Sequence, residues 1–101
     1  MLVHTVFFWL RDNLSNEERA AFLDGVKTLQ EIPDAATTHV GTPAATEPRP
    51  VIDRSYDVGL TVICEDIPSH DRYQEHPIHL AFIEQCSQYW DRVVVYDAED
   101  A

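Results

Sequence analysis

A phenol and two imidazoles fall within seven residues, in Tyr73-Gln74-Glu75-His76-Pro77-Ile78-His79. A neutral imidazole can take a proton, and a phenol can donate a hydrogen bond to an oxygen that gains charge. Whether they meet depends on the backbone. Pro77 has no N–H and disfavours helical geometry at His76. Proline is well tolerated at the first position of a helix, so a new helix is expected to start at Pro77. On it His79, Ile83, Cys86 and Trp90 fall on one face. That face is otherwise apolar, which turns His79 inward. An inward imidazole near a tyrosine is either a packed polar residue bonded to a backbone carbonyl or the working part of a small pocket. His76 reads as a helix cap or a solvent-facing residue, and His39 as structural or exposed. His4, His76 and His79 are the imidazoles on which a metal reading would rest. Pro77 interrupts their shared helical face, and Asp71 and Glu75 are expected to point outward. No metal ligand is assigned.

The elements that must position these residues follow from periodicity. Leu2 to Leu10 reads as a strand with Leu2, His4, Val6, Phe8 and Leu10 on one face and Val3, Thr5, Phe7 and Trp9 on the other. Both faces are largely apolar, so both call for cover. Ser15-Asn16-Glu17-Glu18 fits a capping box. The helix it opens is expected to run to about Glu31, with Phe22, Val26 and Leu29 inward, and Pro33-Asp34 ends it. Ala35 to Thr42 reads as a weak strand carried by Thr37, Thr38 and Val40. Residues 43–53 hold Pro43, Pro48 and Pro50 and read as an exposed, mobile loop. Ser55 to Glu65 reads as a strand with Tyr56, Val58, Leu60, Val62 and Cys64 on one face. Ser69 is expected to cap a short helix through Tyr73. Pro77 to about Ser87 is the longer helical piece, and Arg92 to Asp97 the last strand.

The order β-α-β-β-α-β predicts an α+β, ferredoxin-like single domain over residues 1–101, with a four-stranded antiparallel sheet and helices on one side. Those helices leave Phe7, Trp9 and valines on the opposite face. A bare apolar patch of that size is rare on a monomer. Two sheets packed face to face, forming a barrel-like homodimer, would bury it.

Composition narrows the partners. The chain has 101 residues and a formal net charge of -11, from 18 acidic and 7 basic residues. That balance argues against nucleic acid and against anionic membrane surfaces. Cys64 and Cys86 share no CxxC spacing and sit in apolar patterns, so buried free thiols and a cytoplasmic setting are expected. The apolar N-terminus has no basic lead or small-residue cleavage site, and Arg11-Asp12 ends the run. It reads as neither a secretory signal nor a membrane span.

Several stretches, taken in order, resemble the stress-responsive dimeric α+β barrel (Dabb) family. They are His4-Thr5-Val6-Phe7-Phe8-Trp9-Leu10, Tyr56-Asp57-Val58-Gly59-Leu60, Glu65-Asp66, Tyr73-x-x-His76-Pro77-x-His79 and Val93-Val94-Val95-Tyr96-Asp97. The resemblance implies a homodimer of two ferredoxin-like chains. Some plant members of the family are known as stress-induced stable proteins. Another member type, olivetolic acid cyclase, closes a polyketide by aldol condensation without a cofactor. Its pattern implies His79 and Tyr73 as a catalytic pair and His4 as a further pocket residue. On that reading His79 takes a proton from a carbon between two carbonyls, Tyr73 stabilises the enolate and His4 holds or polarises the substrate. Phe8, Tyr56, Leu60, Ile83 and Trp90 are expected to line the pocket, with a small hydrophobic ligand as occupant and no cofactor. Related antibiotic-biosynthesis monooxygenases keep an oxygenase alternative open, with Phe8, Trp9, Tyr89 and Trp90 as aromatic lining. A stress or structural role without turnover is the third reading.

Overall fold

The computed structural model describes all 101 residues. Strand β1 (Leu2–Leu10) leads to helix α1 (Asn16–Thr28), which tightens into a 3₁₀ turn at Leu29–Glu31. Strands β2 (Thr37–Gly41) and β3 (Val58–Cys64) follow, then helices α2 (Ile67–Glu75) and α3 (Pro77–Cys86). A second 3₁₀ turn at Ser87–Tyr89 delivers the chain to strand β4 (Trp90–Glu99). The sheet order is β2-β3-β1-β4, antiparallel throughout. This is the ferredoxin-like fold that the element order predicts. The shortest principal extent is 18 Å, which holds one helical layer on one sheet and no third layer.

The alternation in β1 sets the two faces. Leu2, His4, Val6, Phe8 and Leu10 are buried under the helices, while Val3, Thr5, Phe7 and Trp9 are only half-buried. From the helical side Phe22 and Val26 of α1 and Phe82 and Cys86 of α3 join the core. The approach of α1 to α3 needs Gly25: a Cβ there would lie 2.4 Å from Cys86 Sγ. Cys64 and Cys86 are free and buried, as their apolar surroundings predict.

The helix starts are chemically explicit. Ser15 and Glu18 form the expected capping box, with Ser15 Oγ accepting from Glu18 N–H and Glu18 Oε1 from Ser15 N–H. Ser69 is not a cap. Asp66 caps α2, its Oδ1 accepting from Ser69 N–H at 2.8 Å, and Ser69 is buried one turn inside. A carboxylate two residues before Pro68 starts the helix one turn earlier, with proline in its first turn where a missing N–H costs nothing. His76 closes α2 in extended geometry and caps α3, its Nδ1 accepting from Ile78 N–H at 3.1 Å. A ring nitrogen used this way is taken from the metal set of His4, His76 and His79.

Two boundaries differ from expectation. Regular pairing of β3 begins at Val58, opposite Phe8, so Tyr56 is outside the strand. Asp57 makes the transition: its N–H donates to Phe8 O and its Oδ2 accepts from Leu10 N–H. Strand β4 is longer than expected, and Trp90 is its first residue, not a member of the helix face. Residues 42–57 form no strand or helix; the prolines predict this for residues 43–53, and the late start of β3 at Val58 extends it. The segment is nonetheless tied down, by Arg54 Nη2 to Thr46 and by Trp9 Nε1 to Ser55 Oγ.

Candidate functional site

The helices stop short of β4. Cross-strand pairing sets Val93 beside Phe8 and Val95 beside Val6, on the helical side of the sheet. Yet Val93 and Val95 remain 42% and 47% exposed. A cavity of about 200 Å³ fills the space between this edge strand and α3. Its floor is His4, Val6 and Phe8 of β1 with Leu60 of β3. Its helical wall is Gln74, His79, Phe82 and Ile83, and Trp90 stands at the β4 end.

Of the predicted pocket residues, the fold brings His4, Phe8, Leu60, His79, Ile83 and Trp90 to this cavity. Tyr73 is adjacent, its ring 5.1 Å from that of His79 and 6.3 Å from that of His4. Tyr56 goes elsewhere. It packs on Phe7 at 4.8 Å, on the opposite face of the sheet, in a hollow shared with Trp9 and Tyr96. The loss of strand register at Asp57 removes the alternation that would have carried it inward. Trp9 lies on that open face too, so the aromatic set Phe8, Trp9, Tyr89 and Trp90 does not form one pocket. Gln74, Phe82, Val93 and Val95 were not singled out. For Phe82 and Gln74 the helical spacing from His79 and His70 was the available signal.

The electrostatics of the central pair favour neutral forms. Tyr73 is fully buried, and burial pushes its phenol well above the ordinary range, with Cys64 adding to the effect. The hydroxyl therefore remains a donor. Burial lowers the pKa of His79, and the neighbouring His4 and His70 push it further down. The ring is a neutral imidazole near pH 7. Tyr73 Oη and His79 Nδ1 are buried and have no hydrogen-bond partner. Such groups typically cost about 1–3 kcal/mol each, so two in adjacent rings are not what packing alone would select.

His4 is differently placed. Its Nδ1 lies 2.5 Å from Asp97 Oδ1, across the β1–β4 pair, and its Nε2 lies 3.4 Å from Gln74 Nε2. The buried thiols are held in the protonated state, since burial raises both Cys64 and Cys86. Neither lines the cavity.

The fold is shared with known proteins. The profile of the Dabb family, the Stress responsive A/B Barrel Domain, matches residues 2–100. A Dabb family protein with a ferredoxin-like fold from Mesorhizobium loti superposes with a TM-score of 0.79 at 25% identity, covering 99% of this chain and 96% of that one. A dimeric ferredoxin-like protein of unknown function from Thermobifida fusca gives 0.78 at 16% identity, covering 96% and 88%. The hydroxynitrile lyase of Passiflora edulis gives 0.76 at 19% identity, covering 96% and 90%. No curated protein matches the chain. No helix is long and apolar enough to cross a membrane.

Proposed function

The chain belongs to the stress-responsive A/B barrel (Dabb) family, and from that premise we propose that it binds a small carbonyl compound in the cavity beside His79 and moves a proton on it. The observation that carries this reading is the pair of buried, unpartnered polar atoms, Tyr73 Oη and His79 Nδ1, in adjacent rings, with His79 at the cavity wall and Tyr73 packed beside it. The lining suits an apolar body with few polar points: Phe8, Phe82, Trp90 and Ile83 against His4 and Gln74. His79 takes a proton from the carbon next to a carbonyl. Tyr73 O–H donates to the carbonyl oxygen as it becomes an enolate oxygen, and His4 holds the ligand from the sheet. If a second carbonyl lies within reach, the enolate carbon attacks it, and the proton held on His79 passes to the new alkoxide. That is an aldol-type closure. The presence of a hydroxynitrile lyase among proteins of this fold agrees with lyase-class chemistry. The polar pair sets this reading ahead of an oxygenase or of a purely structural role.

The functional unit is a homodimer paired through the sheet face opposite the helices. Phe7, Trp9, Tyr56, Val94 and Tyr96 line that face, and structural neighbours are described as dimeric. The free buried thiols suit a reducing compartment such as the cytoplasm.

The test needs no knowledge of the natural substrate. In D₂O the protein should speed loss of the central C–H signal of a simple 1,3-diketone in proton NMR. His79→Ala should return exchange to the buffer rate, and Tyr73→Phe should slow it on the order of a hundredfold. Exchange by wild type at the buffer rate sinks the acid–base role.

A further inference from the structure

A second set of groups adjoins the cavity and takes no part in that proton transfer. His4 of β1 and His70 of α2 face each other with ring centroids 4.9 Å apart. Each ring has one nitrogen against a carboxylate. His4 Nδ1 lies 2.5 Å from Asp97 Oδ1, and His70 Nδ1 lies 3.1 Å from Asp71 Oδ1. A carboxylate oxygen accepts, so the proton of each ring sits on Nδ1. Both Nε2 atoms are then acceptors, and the Gln74 amide donates to each of them. Their lone pairs meet at one atom: Gln74 Nε2 is 3.4 Å from His4 Nε2 and 3.3 Å from His70 Nε2. The side chains are sheltered, His4 being 6% and His70 16% exposed. His4, His70 and Asp97 form a compact cluster, with one nitrogen or carboxylate oxygen of each within 4.8 Å of the others.

We infer that His4 and His70 bind one divalent ion of the zinc class through their Nε2 atoms. Gln74 turns its amide so that Oε1, not Nε2, faces the two imidazoles and completes a third ligand. Each contact then closes from amide distance to the ~2.0–2.2 Å usual for such ions. Asp97 and Asp71 hold the Nδ1 protons and orient the rings, the outer-shell arrangement that makes imidazole a better ligand. Borderline ions with imidazole preference fit this donor set, and magnesium or calcium, which want oxygen, do not. His4 and Gln74 also line the cavity, so a ligand's carbonyl oxygen can take the remaining position. The site differs from the His4, His76 and His79 combination: His76 is spent on the α3 cap, and His70 and Gln74 accompany His4 in place of His76 and His79.

The experiment is equilibrium titration of tag-free, chelator-stripped protein with Zn²⁺, and with Co²⁺ followed by visible absorption. One equivalent per chain should bind. His70→Ala should weaken binding at least a hundredfold. Asp71→Asn and Asp97→Asn should each weaken it about tenfold. His39→Ala, remote on β2, should leave it unchanged. His4 is a core residue whose replacement can compromise folding, so the partly exposed His70 carries the decision. Absence of stoichiometric binding, or binding that survives His70→Ala, overturns the inference. The readout is metal occupancy. Carbon-acid exchange in stripped protein is scored separately, so either proposal can fail alone.

Discussion

The two faces of the sheet are both rich in aromatic residues, but they treat polar atoms in opposite ways. On the open face, Trp9 Nε1 donates to Ser55 Oγ and the Arg92 guanidinium sits 4.2 Å over the Trp9 ring. On the helical face, Tyr73 Oη and His79 Nδ1 are left without partners. Where polar needs are met and apolar area stays open, the natural complement is another protein surface. Where apolar area is covered and polar needs are unmet, the natural complement is a small molecule.

The largest expected effect of breaking this comparison is on the open face. Trp9→Glu should reduce the particle to the 11.6 kDa chain in analytical ultracentrifugation, because pairing through this face, as proposed, would have to desolvate a carboxylate. A wild-type protein that already sediments at that mass across dilutions removes the pairing argument.

Next in size is a contrast of sign. Tyr73→Phe deletes a buried hydroxyl that has no partner, and should raise stability by about 1 kcal/mol in urea unfolding. Trp9→Phe deletes a satisfied indole donor and should lower it by about 0.5–1 kcal/mol. If Tyr73→Phe destabilises instead, the hydroxyl serves the fold and not a ligand.

The smallest effect is a pH dependence. Burial and the adjacent imidazoles lower the pKa of His79 in the folded state. The unfolded chain therefore binds the proton more readily. This contribution to stability is present above the unfolded value of about 6.5 and is lost as pH falls from there toward the folded value. His79→Phe should flatten that part of the melting-temperature profile. An unchanged slope would place the titrating group elsewhere.

Much of this was legible in the chain. The two faces of Leu2–Leu10, the capping box at Ser15 and the break at Pro77 rest on local rules, and the structure obeys them. The closeness of His79 and Tyr73 was legible because six residues and one proline already relate them. Gln74, His70 and Asp97 were not found as a group. Asp97 meets His4 only through the register of β1 on β4, and Gln74 reaches it from 70 positions away. No local pattern encodes such a meeting. Tyr56 shows the opposite failure. Alternation from Val58 was extended one step too far, past the point where Asp57 leaves the ladder.

The exposed valines of β4 set the terms on which this pocket can be altered. Val93 and Val95 form its outer sill on an edge strand, whereas His4, Tyr73 and His79 stand on the central strand and two helices. Alanine at the sill would admit bulkier guests and phenylalanine would exclude them, with the core untouched. The size of the pocket can therefore be re-engineered independently of the Tyr73–His79 pair.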